Sequence, residues 1–102
     1  MALDIVWSPK ALQKFHDVIK YLEKNWGETV VKDFVQRTDQ LLKNLIIHPK
    51  IHRSITNMYN IKEAVVTKHN LLIYKITKDK IILLTFFDTR QHPKNSFENL
   101  KV

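Results

Sequence analysis

The sequence contains one glycine and no cysteine, and these two scarcities exclude several kinds of site. Gly27 alone cannot build the glycine-rich loops that hold phosphates or dinucleotides. Without cysteine there are no disulfides, thiolate zinc sites or cysteine nucleophiles. No stretch approaches the ~20 apolar residues of a membrane helix. Because the N-terminus carries an early Asp4 and no long apolar run, we expect a cytoplasmic protein without a signal peptide.

Positive charge is plentiful and unevenly distributed. The chain has 17 Lys and Arg against 10 Asp and Glu, a net charge of +7. Residues 1–47 hold seven basic and six acidic residues, whereas residues 48–102 hold ten and four, a net +6. Such a basic half favours a polyanionic partner, either nucleic acid or an acidic protein. A basic surface that only keeps the protein soluble is the alternative.

The apolar residues are sufficient for one compact core. They make up 44% of the 102 residues, and no repeat, low-complexity tract or linker divides the chain. We therefore expect a single domain over residues 1–102.

Two amphipathic helices are expected in the first half, after a short strand over residues 2–7. Ser8 and Pro9 are a favourable N-cap and first helical residue, so the first helix should run from there to about Asn25. The second should cover about 28–47, ending before Pro49. Their apolar stripes have alternating spacings of three and four residues: Leu12, Phe15, Ile19, Leu22 and Trp26 in the first, and Val31, Phe34, Thr38, Leu41 and Leu45 in the second.

The second half changes to a strand pattern after a polar, irregular stretch over residues 50–59. Three segments rich in branched and aromatic residues (61–67, 71–77 and 81–87) are separated by short polar turns, which predicts consecutive hairpins. The apolar run 81–84 is typical of a strand buried on both faces, in the middle of a sheet. The order β-α-α-β-β-β predicts an α+β fold, in which the helical hairpin packs on one face of a mostly antiparallel four-stranded sheet.

This order, with four local motifs, resembles the RelE/ParE toxin superfamily, whose members are often labelled plasmid stabilisation proteins. The motifs are the segments 8–11, 21–26, 62–74 and 87–93, and the last reads Phe-Asp-Thr-Arg-Gln-His-Pro. The resemblance implies the toxin of a type II toxin–antitoxin system, held inactive by an antitoxin. It further implies one of two targets: ribosome-bound mRNA, cleaved as RelE-like toxins do, or DNA gyrase, poisoned as ParE-like toxins do. A degenerate member that only binds antitoxin or RNA is a third alternative.

Metal-independent RNA cleavage needs a base for the 2′-hydroxyl, a cation for the phosphate and an acid for the leaving oxygen. Arg90 matches the family's arginine after the last strand, and its planar donors suit a phosphate. Its alternative is a surface arginine that tethers the tail through Asp88. His92 could act as acid or base, or could be a solvated loop residue.

Other candidates lie on the strands and their turns. Lys68 and His69 form a hairpin tip, where a turn needs polar residues in any case. Lys62 opens a strand where RelE-like members carry basic catalytic residues, although it could equally mark an exposed edge. Tyr74 is better explained by core packing. The residues expected to bind RNA are Lys62, Lys68, Lys75, Arg90 and Lys94.

Two positions depart from the RelE-like catalytic set. Val66 stands about where ribosome-dependent members place an essential arginine, and Phe97 is the nearest aromatic residue after the last strand. Phenylalanine cannot transfer a proton. The sequence therefore leaves both branches of the superfamily open, with metal-independent endoribonuclease activity as one of them.

No cofactor or metal is expected. His48 and His52 have helical metal-pair spacing, but Pro49 interrupts the helix and no third ligand is evident. The expected partner is an acidic antitoxin, partly disordered until bound. Trp7, Trp26, Phe86, Phe87 and Phe97 are candidates for a groove that takes an antitoxin helix, with core packing the better explanation for Trp7 and Trp26.

Overall fold

A computed structural model describes residues 3–50, 53–54 and 60–89. Within these ranges the elements are, in chain order, β1 (Asp4–Trp7), α1 (Pro9–Trp26), α2 (Glu28–Ile47), β2 (Arg53–Ser54), β3 (Ile61–Thr67), β4 (Asn70–Ile76) and β5 (Lys80–Asp88). The strands form one sheet in the order β1-β5-β4-β3-β2. Every neighbouring pair is antiparallel except β1 and β5, which are parallel. The predicted α+β fold with a mostly antiparallel sheet is confirmed.

Strand β5 lies between β1 and β4, as its apolar run predicted. It has nine residues, of which only the first four pair with β1. The chain enters α1 directly from this pairing: the Ser8 hydroxyl donates to the Leu84 carbonyl at 3.2 Å and accepts from the Ala11 amide at 3.0 Å. Ser8 therefore caps α1 and also fixes the helix start against the sheet.

The helical hairpin turns at Gly27. Its φ of 93° and ψ of 176° lie in a region that is essentially restricted to glycine, so the only glycine of the chain is needed here. Its amide donates to the Leu22 carbonyl at 3.0 Å and ends α1. Helix α2 begins at the next residue and runs back along the sheet to Ile47.

Four aromatic rings from four different elements form the centre of the core. Trp7 of β1, Phe15 of α1, Phe34 of α2 and Phe86 of β5 have ring centroids 5.2–6.3 Å apart. Phe34 and Phe86 are each 1% exposed. Edge and offset contacts of this kind stabilise a core beyond simple burial.

Two expectations need correction: the apolar face of α1 and the aromatic groove. The buried face of α1 is made by Ala11, Val18 and Leu22, while Leu12 and Trp26 are 48% and 51% exposed. Ala11 allows the helix to approach β5 closely, so the larger neighbour Leu12 is turned outward. Phe86 and Phe87 are buried at 1% and 8%, which makes them core residues and not an open groove.

The stretch over 50–59 is not wholly irregular. Arg53 and Ser54 form β2, which pairs with Glu63 and Lys62 of β3 and adds a fifth strand at the edge. Two residues are too few to produce an alternating pattern in a sequence. His52 and Phe97 lie outside the described residues.

Candidate functional site at the β3–β4 hairpin tip

The hairpin tip between β3 and β4 presents two basic side chains. Lys68 is exposed and His69 is half-buried. The His69 amide donates to the Thr67 hydroxyl at 3.2 Å, and the ladder between β3 and β4 shifts register between Val65 and Thr67. The turn is therefore irregular, and the Thr67 hydroxyl supports its backbone at His69.

A buried polar cluster lies under the tip. The Thr67 hydroxyl donates to the Asn70 side-chain carbonyl, and the Asn70 amide donates to the Asp88 carboxylate at 3.0 Å. Asn70 is 2% exposed and Asp88 is fully buried. Because a buried carboxylate is costly without donors, the pairing of Asn70 with Asp88 fixes the tip to the end of β5.

The chain reaches the last described residue beside the tip. Both the amide and the hydroxyl of Thr89 donate to the His69 carbonyl, at 2.7 and 3.2 Å. Arg90, His92 and Lys94 follow Thr89 in sequence and lie outside the described residues. Strand β5 therefore brings Thr89, which directly precedes the expected catalytic arginine in the sequence, to the tip.

Helix α2 supplies a third basic group that the sequence analysis missed. A 220 Å³ pocket between α2 and the tip is lined by Arg37, Asp33 and Phe34 of α2 and by Lys68 and His69. The Arg37 guanidinium donates to both Asp33 carboxylate oxygens at 3.0 Å. Both side chains are more than half exposed, so the pair contributes only about 0.3–0.5 kcal/mol and an anion could displace it. In the sequence, the only indication of this role is that Arg37 follows the core residue Phe34 by three residues, which places both on the same side of α2.

Lys62 and Lys75 lie at the opposite end of the sheet. Lys62 is half-buried on the helix-facing side, where its ammonium group donates to the Ser54 hydroxyl at 3.2 Å. It is six residues along β3 from Lys68, which corresponds to about 20 Å. Lys75 pairs in register with Ile61, near the same end. Among the described candidates, the structure brings together Lys68 and His69 but not Lys62 or Lys75.

Two further positions have structural roles. Val66 is 5% exposed and belongs to the core. Tyr74 is fully buried, as predicted, and its hydroxyl donates to the Pro49 carbonyl at 2.8 Å. Burial raises the pKa of Tyr74 well above its ordinary value.

Replacing Asn70 with Ala should destabilise the protein by about 2–3 kcal/mol. The substitution removes a donor from the buried Asp88 carboxylate and the acceptor of the Thr67 hydroxyl. Urea unfolding would measure the difference. Asn44→Ala is the matched control: its side chain is exposed on α2, so the change should alter stability by less than about 0.5 kcal/mol. Equal stabilities for the two variants would contradict the role of the buried cluster.

Known structures share this architecture. The chromosomal ParDE toxin–antitoxin system of P. aeruginosa matches with a TM-score of 0.69 and 11% identity, over 85% of this chain and 96% of that chain. The E. coli DinJ–YafQ complex matches with a TM-score of 0.62 and 15% identity, over 89% of this chain and 97% of that chain. The YoeB dimer of Staphylococcus aureus matches with a TM-score of 0.59 and 19% identity, over 83% of this chain and 94% of that chain. No curated protein sequence matches the chain.

The fold is thus that of toxins from toxin–antitoxin systems, and the family follows from the sequence. The family model described as the ParE toxin of type II toxin–antitoxin systems, parDE, matches residues 5–93. The chain belongs to this family, as the motifs predicted. Neither described helix is long and apolar enough to cross a membrane. The described residues contain no group of three or more His, Asp or Glu that could hold a metal ion.

Proposed function

We propose that this toxin inhibits translation by cleaving mRNA at the ribosome, with the hairpin tip and the residues after Thr89 as its active surface. The observation that carries the proposal is the anchoring of the tip: His69 accepts both donors of Thr89, and Asn70 is bonded to Asp88. The backbone that carries Lys68 and His69 is thereby anchored beside Thr89, which precedes Arg90 in the sequence. Catalysis by positioned charges needs such rigidity.

The chemical roles are divided between the tip and the residues that follow β5. Arg90 stabilises the charge that builds on the phosphate, since its planar donors match two phosphate oxygens. His69 and His92 supply the acid and the base, because an imidazole ring can both donate and accept a proton. Lys68 and Lys94 hold the RNA backbone, and Lys75 contacts it at a distance from the scissile bond. Lys62, about 20 Å from the tip, is not part of the cleavage centre.

An acidic antitoxin is the proposed partner. Two related structures, DinJ–YafQ of E. coli and YoeB–YefM of Staphylococcus aureus, are toxin–antitoxin complexes. The +6 charge of residues 48–102 in this chain would attract an acidic protein, which could cover the surface that binds RNA.

Poisoning of DNA gyrase is the second candidate. Two observations favour it: the matching family model is that of ParE toxins, and Val66, where RelE-like members place an arginine, is buried in the core. A non-enzymatic toxin needs only a binding surface and no proton-transfer groups.

Induced expression of the free protein in bacteria separates the two candidates. For an mRNA endonuclease, mapping of mRNA 5′ ends should reveal new ends within translated codons soon after induction. Chromosome integrity and the DNA-damage response, followed in the same cultures, should stay unchanged. Chromosome breaks without new mRNA ends would overturn the nuclease proposal and support the gyrase one.

A further inference from the structure

A second basic pocket lies at the end of the sheet opposite the hairpin tip. It has a volume of 710 Å³ and is formed where α2 ends, β3 begins and β4 ends. We call it the lysine pocket, after Lys50, Lys62 and Lys78, which line it. None of its described lining residues is acidic, so the described lining carries a formal charge of +3.

One of the three lysines is held in place. Lys62 is half-buried and donates to the Ser54 hydroxyl at 3.2 Å, which directs its ammonium group along the β2–β3 edge. Lys50 and Lys78 are exposed and can close over a bound anion. The lysine pocket therefore combines one oriented cation with two adaptable ones.

The remaining described lining is partly apolar. Leu3, Pro49 and Ile76 form an apolar part of the wall, and Leu3 and Ile76 pack against the core. The Tyr74 hydroxyl holds the Pro49 carbonyl at 2.8 Å and so fixes that wall. A ligand that fits this lining carries carboxylates next to an aliphatic side chain.

We propose that the lysine pocket binds an acidic peptide segment in which a Leu or similar residue is flanked by Asp or Glu, contributed by the antitoxin. This rests on the proposed antitoxin partner. Single-stranded nucleic acid fits less well, because base binding relies on aromatic stacking and the described lining contains no aromatic residue. The separation of about 20 Å from the tip makes this contact distinct from the cleavage surface.

The test uses the full chain and a blocked synthetic peptide, Glu-Leu-Asp-Leu-Glu. Titration followed by amide NMR should shift the signals of Ile76 and Thr77, and isothermal calorimetry should give the dissociation constant. Lys62→Met keeps most of the apolar stem and removes the charge; with Lys78→Gln it should weaken peptide binding about tenfold or more. Lys43→Gln, on the outer face of α2, is the control and should leave binding unchanged.

Two results would overturn the proposal: equal peptide affinity in wild type and the Lys62→Met/Lys78→Gln variant, or tighter binding of an oligouridylate than of the peptide to the lysine pocket. A peptide in which Gln and Asn replace the acids should bind much more weakly. Peptide binding is measured on purified protein and does not depend on toxicity. A protein that binds the peptide yet cleaves no mRNA would therefore disprove the cleavage proposal alone.

Discussion

Replacing Arg90 with Ala is expected to lower the rate of mRNA cleavage by about 10²–10³ and to relieve growth arrest. The expected loss is that of a donor which stabilises the transition state more than the ground state. Strand β5 ends beside the hairpin tip, where Thr89 donates twice to the His69 carbonyl, and Arg90 is the next residue in the sequence. The measurement is the single-turnover cleavage rate on programmed ribosomes, together with growth after induction.

Two further variants test whether the effect comes from the planar donors of Arg90 and not from loss of any positive charge. Arg90→Lys keeps the charge but loses the planar pair of donors, so it should recover only part of the rate. Lys43→Ala removes a charge that is paired with Asp39 on the exposed face of α2, and should remain fully toxic. If Arg90→Ala kept wild-type activity while folding normally, the assignment of Arg90 to the active surface would be wrong.

Phe86→Ala is expected to reduce the free energy of unfolding by about 3–5 kcal/mol. Phe86 is 1% exposed, and its ring lies 5.5 Å from Trp7, 5.3 Å from Phe15 and 6.3 Å from Phe34. Truncation leaves a cavity between the sheet and both helices. Since domains are stable by only about 5–15 kcal/mol, much of the stability would be lost.

Urea unfolding measures this effect, and an unchanged dependence on urea concentration would show that only stability has changed. Leu12→Ala is the informative control, because Leu12 is 48% exposed although the apolar pattern placed it in the core. It should cost less than about 1 kcal/mol. A loss for Leu12→Ala as large as that for Phe86→Ala would argue against the observed orientation of α1.

The approximate bounds of both helices and of every described strand except β2 were readable because their signals are local. Ser8 and Pro9 mark the start of α1, and Gly27 marks its end through a backbone conformation that other residues resist. The face of α1 that enters the core was not readable. A stripe through Leu12 and Trp26 and another through Ala11 and Val18 satisfy the same period, and only the close approach to β5 selects the second.

The candidate site was only partly predictable, because local patterns do not show which elements approach one another. The turn residues Lys68 and His69 were evident from the sequence, whereas the approach of Arg37 depends on how α2 crosses the sheet. Lys62 was a catalytic candidate together with Lys68 and His69, but six residues of extended strand separate it from the tip. The bond between Tyr74 and Pro49 joins positions 25 residues apart, which no local pattern reveals.

The parallel pairing of β1 with β5 also determines when the native protein can form. Asp4 pairs with Lys80, and the Ser8 hydroxyl bonds a carbonyl 76 residues later in the chain. Strand β1 therefore cannot pair until β5 has been synthesised, and contacts between residues so far apart in the sequence form slowly. During synthesis, neither the sheet nor the tip anchored by Asp88 and Thr89 can be complete until translation has passed residue 89. The growing chain on the ribosome that makes it has therefore not yet acquired the folded surface around the tip.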